Sequence, residues 1–185
     1  MDASLFLWIH GLRTPALDGA MSFLSKHGIW WPPLVWLLMV LWKRRAAAPV
    51  FRDGMLAWYL AGTVSEEWVK SLVKRARPPH NPQIQRLVHV LGDVPRRGSY
   101  SFPSGTSALV FAGATIIWLA WGRRAGIAAM VAATVVSLSR VYVGVHYPGD
   151  LLGGALVGAL VAAGVWRFSK WAGTYEPNKP ERSAK

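Results

Sequence analysis

The sequence predicts an all-α protein, a polytopic transmembrane helical bundle of about five spans preceded by N-terminal interfacial helices. Three observations carry this prediction. The 185 residues are 52% hydrophobic and only 16% charged, which is apolar and charge-poor for a soluble protein. Eleven residues are tryptophan, whose indole ring favours the boundary between membrane and water. The basic residues cluster at the ends of apolar runs, where lipid headgroups would lie.

The charge pattern also bears on the partners of the protein. A formal net charge of +12 fits either nucleic acid or anionic lipid. Because the basic residues do not line one polar face, we expect membrane lipids and no nucleic acid as partners. The chain has no cysteine, which excludes disulfides. No basic region precedes the short apolar run of residues 5–9, so we expect no cleaved signal peptide.

The first part of the chain contains short and long apolar runs. In residues 3–26, short apolar patches alternate with charged residues. No patch reaches the roughly 20 residues needed to cross the hydrocarbon layer, so we expect one or two interfacial helices. Tryptophans mark both ends of the first predicted span, residues 28–42, and basic residues follow its second end. The second span is predicted over about residues 53–76. Near its end, Glu66 or Glu67 is expected to pair with Lys70, one helical turn later.

A connection rich in proline, glycine and arginine follows at residues 78–102. Three further apolar runs are predicted spans: residues 104–121, about 125–142, and 148–171. Glycines four residues apart in the last span, such as Gly154 and Gly158, allow close helix packing. We therefore expect a single integral membrane domain over residues 1–171 and a disordered polar tail over residues 172–185.

Polar side chains that could bind a ligand or take part in catalysis lie at the ends of three predicted spans. An alternating up-and-down topology brings these ends to the same membrane face. Charged groups beside hydrocarbon-length segments are costly to place, so a functional site is the default hypothesis. The three stretches are Lys70 to Pro78, Pro103-Ser104-Gly105, and Ser139-Arg140 with His146 and Asp150.

Each stretch fits a part of a phosphate-handling site. The cations of the first stretch need an anion nearby. Ser104 can cap the following helix, whose first backbone amides then point outward and favour an anion. Asp150 follows His146 by four residues, so its carboxylate can keep one ring nitrogen protonated and leave the other free to attack. The pattern predicts phosphate chemistry at a membrane surface.

Together the stretches resemble the three-part signature of the type 2 phosphatidic acid phosphatase superfamily of membrane phosphatases. The matching pattern is Lys70-x6-Arg77-Pro78, Pro103-Ser104-Gly105 and Ser139-Arg140-x5-His146-x3-Asp150. The resemblance implies that His146 is a nucleophile that forms a phosphohistidine and that Asp150 orients it. It implies a lipid phosphate or pyrophosphate substrate, with no metal and no cofactor. It also implies a phosphate cradle made of Lys70, Arg77, Ser104, Gly105 and Arg140.

One residue departs from the family pattern. Thr106 stands where the family has a histidine that resembles a general acid for the leaving oxygen. A threonine hydroxyl donates a hydrogen bond but is no acid near neutral pH. The departure favours a pyrophosphate lipid, because its leaving group is a phosphate with a second pKa of about 6. We therefore expect a lipid phosphatase acting on a polyprenyl pyrophosphate such as undecaprenyl pyrophosphate, with Thr106 in contact with the leaving group.

Other interpretations stay open at this point. His80, His89 or Asp93 could provide the proton for a monoester substrate such as phosphatidate, phosphatidylglycerol phosphate or a lipid A phosphate. A lipid phosphotransferase would use the same phosphohistidine with an acceptor other than water. A weakened or non-catalytic relative that only binds lipid is the remaining alternative.

The basic residues also predict an orientation. Five spans place eleven of the 21 lysines and arginines on the side of the tail and ten on the other side. Three of those ten, Lys70, Arg77 and Arg140, are site candidates, which leaves seven. The positive-inside rule therefore favours a cytoplasmic tail. We expect an integral protein of a bacterial inner membrane whose site faces the periplasm or the cell exterior.

Overall fold

A computed structural model describes residues 2–43 and 47–173. Within these ranges the chain is helical and has no strand, which confirms the predicted all-α class. The predicted tail lies, from residue 174 onward, outside the described residues. The α-helices are α1 Asp2–Gly11, α2 Pro15–His27, α3 Trp31–Lys43, α4 Ala48–Thr63, α5 Lys70–Val73, α6 Gly105–Tyr142 and α7 Pro148–Trp171.

The helix α6 contains both the third and the fourth predicted spans. Its 38 residues are interrupted at Gly122, which has φ 79° and ψ −171°. A positive φ at this position suits glycine, which has no β-carbon to clash with the backbone. The break lies directly before the predicted turn at Arg123-Arg124, so the chain runs as two helical segments at the predicted place.

Close packing joins α6 to α7 and confirms the prediction from the glycine spacing. A β-carbon on Gly154 would lie 2.3 Å from the carbonyl oxygen of Ser104. One on Gly158 would lie 2.2 Å from the carbonyl oxygen of Ala108. Because real β-carbons do not come so near to oxygen, only glycine permits this approach of the two backbones. The contact fixes the start of α7 beside the start of α6.

Among the helices of residues 2–43 and 47–173, α6 and α7 are long and apolar enough to cross a membrane. The helices α3 and α4 have 13 and 16 residues, so the count of about five spans stays a prediction. A π-helical turn, Val64–Val69, continues α4 into α5. The second predicted span reaches residue 76, but the helix ends at Val73, since Lys74 has a left-handed conformation with φ 50°. The predicted end is wrong by three residues.

The N-terminal helices α1 and α2 pack against the segment between α6 and α7. His10 on α1 is buried, and its Nε2 accepts a hydrogen bond from the backbone amide of His89 at 3.2 Å. The other ring nitrogen, Nδ1, therefore carries the proton and donates to the carbonyl of Tyr142 at 2.9 Å. Asp2 accepts from the amide of Gly149 at 3.0 Å. These bonds hold both ends of the segment that carries His146.

Candidate active site

His146 lies in the short segment that joins α6 to α7, and its ring is 2% exposed. The segment turns tightly because Val145 donates its backbone N–H to the carbonyl of Arg140 at 3.1 Å. Arg77 donates from Nη1 to Nε2 of His146 at 2.9 Å. Since a guanidinium has only donors, Nε2 bears a lone pair and the ring proton is on Nδ1.

Asp150 stands on the other side of the imidazole, in the first turn of α7. Its Oδ2 lies 3.4 Å from Nδ1 of His146, an ion-pair distance that is too long for a strong hydrogen bond. The carboxylate is held by three other donors: the Tyr147 amide at 2.8 Å, Arg75 Nη1 at 2.9 Å, and the Ser101 hydroxyl. It is therefore fixed in place and faces the protonated ring nitrogen.

The surroundings of His146 keep its ring neutral. Burial lowers the pKa of His146 to about 3, and the charges of Arg77 and Arg140 act in the same direction, against the carboxylate of Asp150. At neutral pH the imidazole therefore carries no charge. Its Nε2 is unprotonated, as a nucleophilic histidine requires, and in this structure the Nε2 lone pair accepts the hydrogen bond from Arg77.

The two predicted arginines are held by neutral acceptors. Arg77 donates from Nε to the hydroxyl of Ser99 at 3.1 Å and from Nη1 to the carbonyl of Val145 at 3.1 Å. Arg140 donates from Nη1 to the carbonyl and the hydroxyl of Ser25 on α2, at 2.9 and 2.5 Å. Neither arginine forms a salt bridge within the described residues, so both guanidinium charges remain uncompensated by a bonded carboxylate.

Lys70 has a different environment. Its Nζ lies 2.5 Å from Oε1 of Glu66, which confirms the ion pair predicted from the helical spacing. The same carboxylate oxygen lies against the start of α6, because a β-carbon on Gly105 would be only 2.1 Å from it. Glu66 is therefore an anion placed between Lys70 and the first residue of α6.

Ser104 caps α6 as predicted. Its hydroxyl accepts from the amide of Ser107 at 3.3 Å, and its own amide donates to the carbonyl of Asp150 at 2.9 Å. Such a cap typically stabilises a helix by about 1 kcal/mol. Here it also ties the start of α6 to the start of α7. Ser104 and Gly105 are both buried.

Two cavities meet at Arg77. The wider cavity has a volume of about 590 Å³, and its lining includes Arg77, Arg140, Thr106 and Asp93. The narrower cavity, of about 300 Å³, includes Arg77, Lys70 and Glu66. The predicted phosphate-binding cations therefore lie on both sides of one guanidinium. His146 lies behind that guanidinium, in contact with it.

The three candidate proton donors, His80, His89 and Asp93, differ in their position relative to the cavity that Thr106 lines. Asp93 lines the wider cavity together with Thr106. His80 and His89 line neither cavity, and Nε2 of His80 lies 2.7 Å from the carbonyl oxygen of Pro95. Of the three candidates in the connection, only Asp93 therefore shares a cavity with Thr106.

Sequence analysis did not identify two residues that contact Asp150. Arg75 bonds Asp150 and Asp2, and its guanidinium lies 4.0 Å from the centre of the Tyr147 ring. Ser101 precedes the cis peptide bond between Phe102 and Pro103. A basic residue beside others and a serine in a polar loop carry no distinguishing signal. Within the described residues, no group of three or more His, Cys, Asp or Glu side chains is suited to a metal.

Comparisons with known proteins agree with this architecture. The family model for the PAP2 superfamily matches residues 54–174. An undecaprenyl-diphosphatase of Sulfolobus acidocaldarius is 31% identical over 163 residues, covering 87% of this chain and 75% of the relative. A lipid A 4'-phosphatase of Bacteroides thetaiotaomicron is 32% identical over 175 residues, covering 91% and 75%.

A solved structure has the same fold. It is a transmembrane PAP2-type phosphatidylglycerolphosphate phosphatase from Bacillus subtilis, with a TM-score of 0.65 and 24% identity. The match covers 91% of this chain and 86% of the other. The family model covers well over half of the present chain, and its region includes every candidate site residue from Lys70 to Asp150. The chain therefore belongs to the PAP2 superfamily and is an integral membrane lipid phosphatase.

Proposed function

We propose that the protein removes the terminal phosphate of a polyprenyl pyrophosphate, of which undecaprenyl pyrophosphate is the best candidate, through a phosphohistidine at His146. The observation that carries this proposal is the pairing of a neutral, buried imidazole with Arg77 at its Nε2 and Asp150 near its Nδ1. This arrangement supports Nε2 as the attacking nitrogen. It also places positive charge where a phosphoryl group must approach.

The proposed reaction has two steps. The Nε2 lone pair of His146 attacks the terminal phosphorus, and the bond from that phosphorus to the bridging oxygen breaks. Its electron pair leaves with the polyprenyl phosphate. The phosphorylated ring, with its proton on Nδ1, is cationic and is stabilised by Asp150. Water then attacks the phosphorus, and the P–Nε2 bond breaks with its electron pair returning to Nε2. The water protons leave on inorganic phosphate or pass to bulk water, which restores neutral His146 with its proton on Nδ1.

Arg77 has two roles in this scheme. Its Nη1 donates to the nitrogen that attacks, so the lone pair is free only after that donor has turned away. A phosphoryl oxygen offers the guanidinium a charged acceptor in place of the neutral ring nitrogen, and hydrogen bonds to ionised acceptors are about twice as strong. Phosphate binding therefore releases the nucleophile. With Arg140 and Lys70, Arg77 stabilises the charge of the transferred group, and Ser104 and Gly105 shape the cradle from behind.

Thr106 and the relatives support the choice of a pyrophosphate. Thr106 lines the wider cavity beside Arg77 and Arg140, where a leaving group would lie. A hydroxyl there suits a leaving phosphate, which departs without a proton from a general acid. The similarity to an undecaprenyl-diphosphatase, at 31% identity, points in the same direction.

A lipid phosphomonoester is the second candidate substrate. Asp93 lines the same cavity as Thr106, so one carboxyl group stands where a proton donor for an alkoxide would be needed. The similarity to a lipid A 4'-phosphatase, at 32% identity, also favours this class. The Thr106→His variant described in the Discussion distinguishes the two substrate classes.

The test of the proposal is His146→Ala, with His27→Ala as the matched control. His27 is exposed on α2 and lines neither cavity at Arg77. In detergent, phosphate release from undecaprenyl pyrophosphate should fall by about 10³-fold or more in His146→Ala and stay unchanged in His27→Ala. Substrate labelled at the terminal phosphate should give an acid-labile protein label only when His146 is present. Unchanged release by His146→Ala would refute the proposal.

We further propose a bacterial inner membrane as the location, with the site facing the periplasm or the cell exterior. The excess of basic residues on the side of the tail supports this orientation. The chain has no cysteine, so Arg96→Cys introduces a unique label position in the exposed connection. A membrane-impermeant maleimide should react with it in intact cells. Reaction only after permeabilisation would reverse the orientation.

A further inference from the structure

The wider cavity contains a lysine that the reaction scheme above does not use. Lys26, near the end of α2, lines this cavity together with Arg77, Arg140 and Thr106. Its side chain is exposed, and it forms no salt bridge or hydrogen bond with another described residue. A free ammonium group in the cavity of a phosphate site is a candidate for a second anion contact.

The helix α2 directs one polar face at this cavity. Ser22, Ser25 and Lys26 follow the i, i+3, i+4 spacing that puts three side chains on one side of a helix, and all three line the cavity. Ser25 accepts two hydrogen bonds from Arg140 through its carbonyl and its hydroxyl. Lys26 therefore lies next to the residue that anchors a phosphate-binding arginine, on a helix whose position that bond fixes.

The balance of charge differs between the two cavities. The wider one is lined by the cations Lys26, Arg77 and Arg140 and by one carboxylate, Asp93. The narrower one is lined by two cations, Lys70 and Arg77, and by Glu66 and Glu67. Cations outnumber carboxylates by two in the wider cavity and balance them in the narrower one. A second phosphate is therefore attracted to the side of Lys26.

We propose that Lys26 and Thr106 form a second phosphate subsite, which binds the phosphate that stays on the lipid when the terminal phosphoryl group moves to His146. This inference deepens the proposed function and rests on it. As the bond to the bridging oxygen breaks, its electron pair makes the remaining lipid phosphate more negative. The Lys26 ammonium and the Thr106 hydroxyl donate hydrogen bonds to that group. Charge stabilisation by Lys26 then replaces protonation by a general acid.

The subsite makes a prediction about substrate class. A pyrophosphate lipid places its second phosphate at Lys26, whereas a monoester has no second phosphate to place there. Lys26→Gln should therefore lower kcat/KM for undecaprenyl pyrophosphate by about 10-fold. This loss is at the low end of the range for removing a hydrogen bond to a charged group, because Lys26 is exposed. Its kcat/KM for phosphatidate should stay within about twofold of wild type.

Lys74→Gln is the matched control variant. Lys74 is an exposed lysine near the same site, and it lines neither cavity. This variant removes the same charge from the protein without touching the subsite. Both kcat/KM values should remain unchanged in Lys74→Gln. An equal loss on pyrophosphate in both variants would overturn the subsite, because it would trace the effect to general attraction of anions.

A binding measurement separates failure of the subsite from failure of the proposed function. Calorimetry of the full chain in detergent would compare methylenebisphosphonate, which has two linked phosphorus groups, with inorganic phosphate. Wild type should bind the bisphosphonate more tightly than inorganic phosphate. Lys26→Gln should weaken the binding of the bisphosphonate by about 10-fold and leave the binding of inorganic phosphate unchanged. If wild type hydrolyses no pyrophosphate lipid, the proposed function fails while this binding difference still supports the subsite. Equal affinities of wild type and Lys26→Gln for the bisphosphonate overturn the subsite.

Discussion

Lys70 and Arg140 lie on either side of Arg77 and carry the same formal charge, but they differ in whether a carboxylate balances that charge. Lys70, on the side of the narrower cavity, is bonded to the carboxylate of Glu66 at 2.5 Å. Arg140, on the side of the wider cavity, is bonded to the neutral oxygens of Ser25. The charge of Lys70 is therefore largely balanced, whereas the charge of Arg140 is available to a ligand. The strongest attraction for a phosphate lies between Arg77 and Arg140.

The Lys70 pair is adjustable rather than fixed. The side chain of Lys70 is 8% exposed, but that of Glu66 is 51% exposed. The half-exposed carboxylate can turn into water when a phosphate takes its place, because the buried Lys70 ammonium then keeps an anionic partner. In the proposed reaction, Lys70 would bind phosphate only after Glu66 has moved away. Arg140 has no carboxylate partner among the described residues that must first move away.

The largest expected difference between the two sides comes from neutralising each cation. Arg140→Gln should lower kcat/KM by about 10²- to 10³-fold, since it removes an uncompensated charge that, in the proposed reaction, contacts the phosphoryl group. Lys70→Gln in a Glu66→Gln background should lower kcat/KM by only about 10-fold, because the ammonium group and the carboxylate that balances it are removed together. Steady-state kinetics on one pyrophosphate lipid measure both values.

Two controls accompany this comparison. Arg140→Lys retains the charge but loses the planar fork that reaches Ser25, so its activity should lie between Arg140→Gln and wild type. Thermal unfolding in detergent checks that Arg140→Gln still folds, because Arg140 also holds α2. If the double variant loses as much activity as Arg140→Gln, the two sides are equivalent and the contrast between them is wrong.

Thr106→His is expected to have a smaller effect that depends on the substrate. The imidazole would stand in the wider cavity at the position of the leaving group and would protonate an alkoxide. Turnover of phosphatidate should rise by about 10²-fold, the low end for general acid catalysis, while turnover of the pyrophosphate changes little. Thr106→Asn adds polar bulk without an acid and should give no such rise. Equal changes on both substrates would remove the explanation based on the leaving group.

Much of the fold followed from local signals in the sequence. The periodic glycines predicted close helix packing at the last span, Pro103-Ser104-Gly105 predicted the helix start, and the spacing of Glu66 and Lys70 predicted their ion pair. These features depend on residues within one turn or one helix. Local geometry is sufficient to place them.

The features that sequence analysis missed depend on contacts between distant parts of the chain. Ser25 bonds Arg140 across 115 residues, Asp2 bonds Gly149 across 147, and Arg75 bonds Asp150 across 75. His10, on α1, is likewise buried against the end of α6. The spacing of residues along the sequence does not indicate such pairs, because each requires the packing of α1, of α2 or of the segment directly after α5 on the rest of the bundle.

The smallest expected effect belongs to Glu66→Gln alone. Its carboxylate and a phosphate compete for Lys70, so removing the charge should lower KM for a lipid substrate by about threefold with little change in kcat. Glu67→Gln is the matched control, because Glu67 is also exposed in the narrower cavity and forms no bond to Lys70. Its KM should stay unchanged. A higher KM in Glu66→Gln would mean that Glu66 holds Lys70 in position for phosphate, and that both sides of Arg77 act as fixed cations.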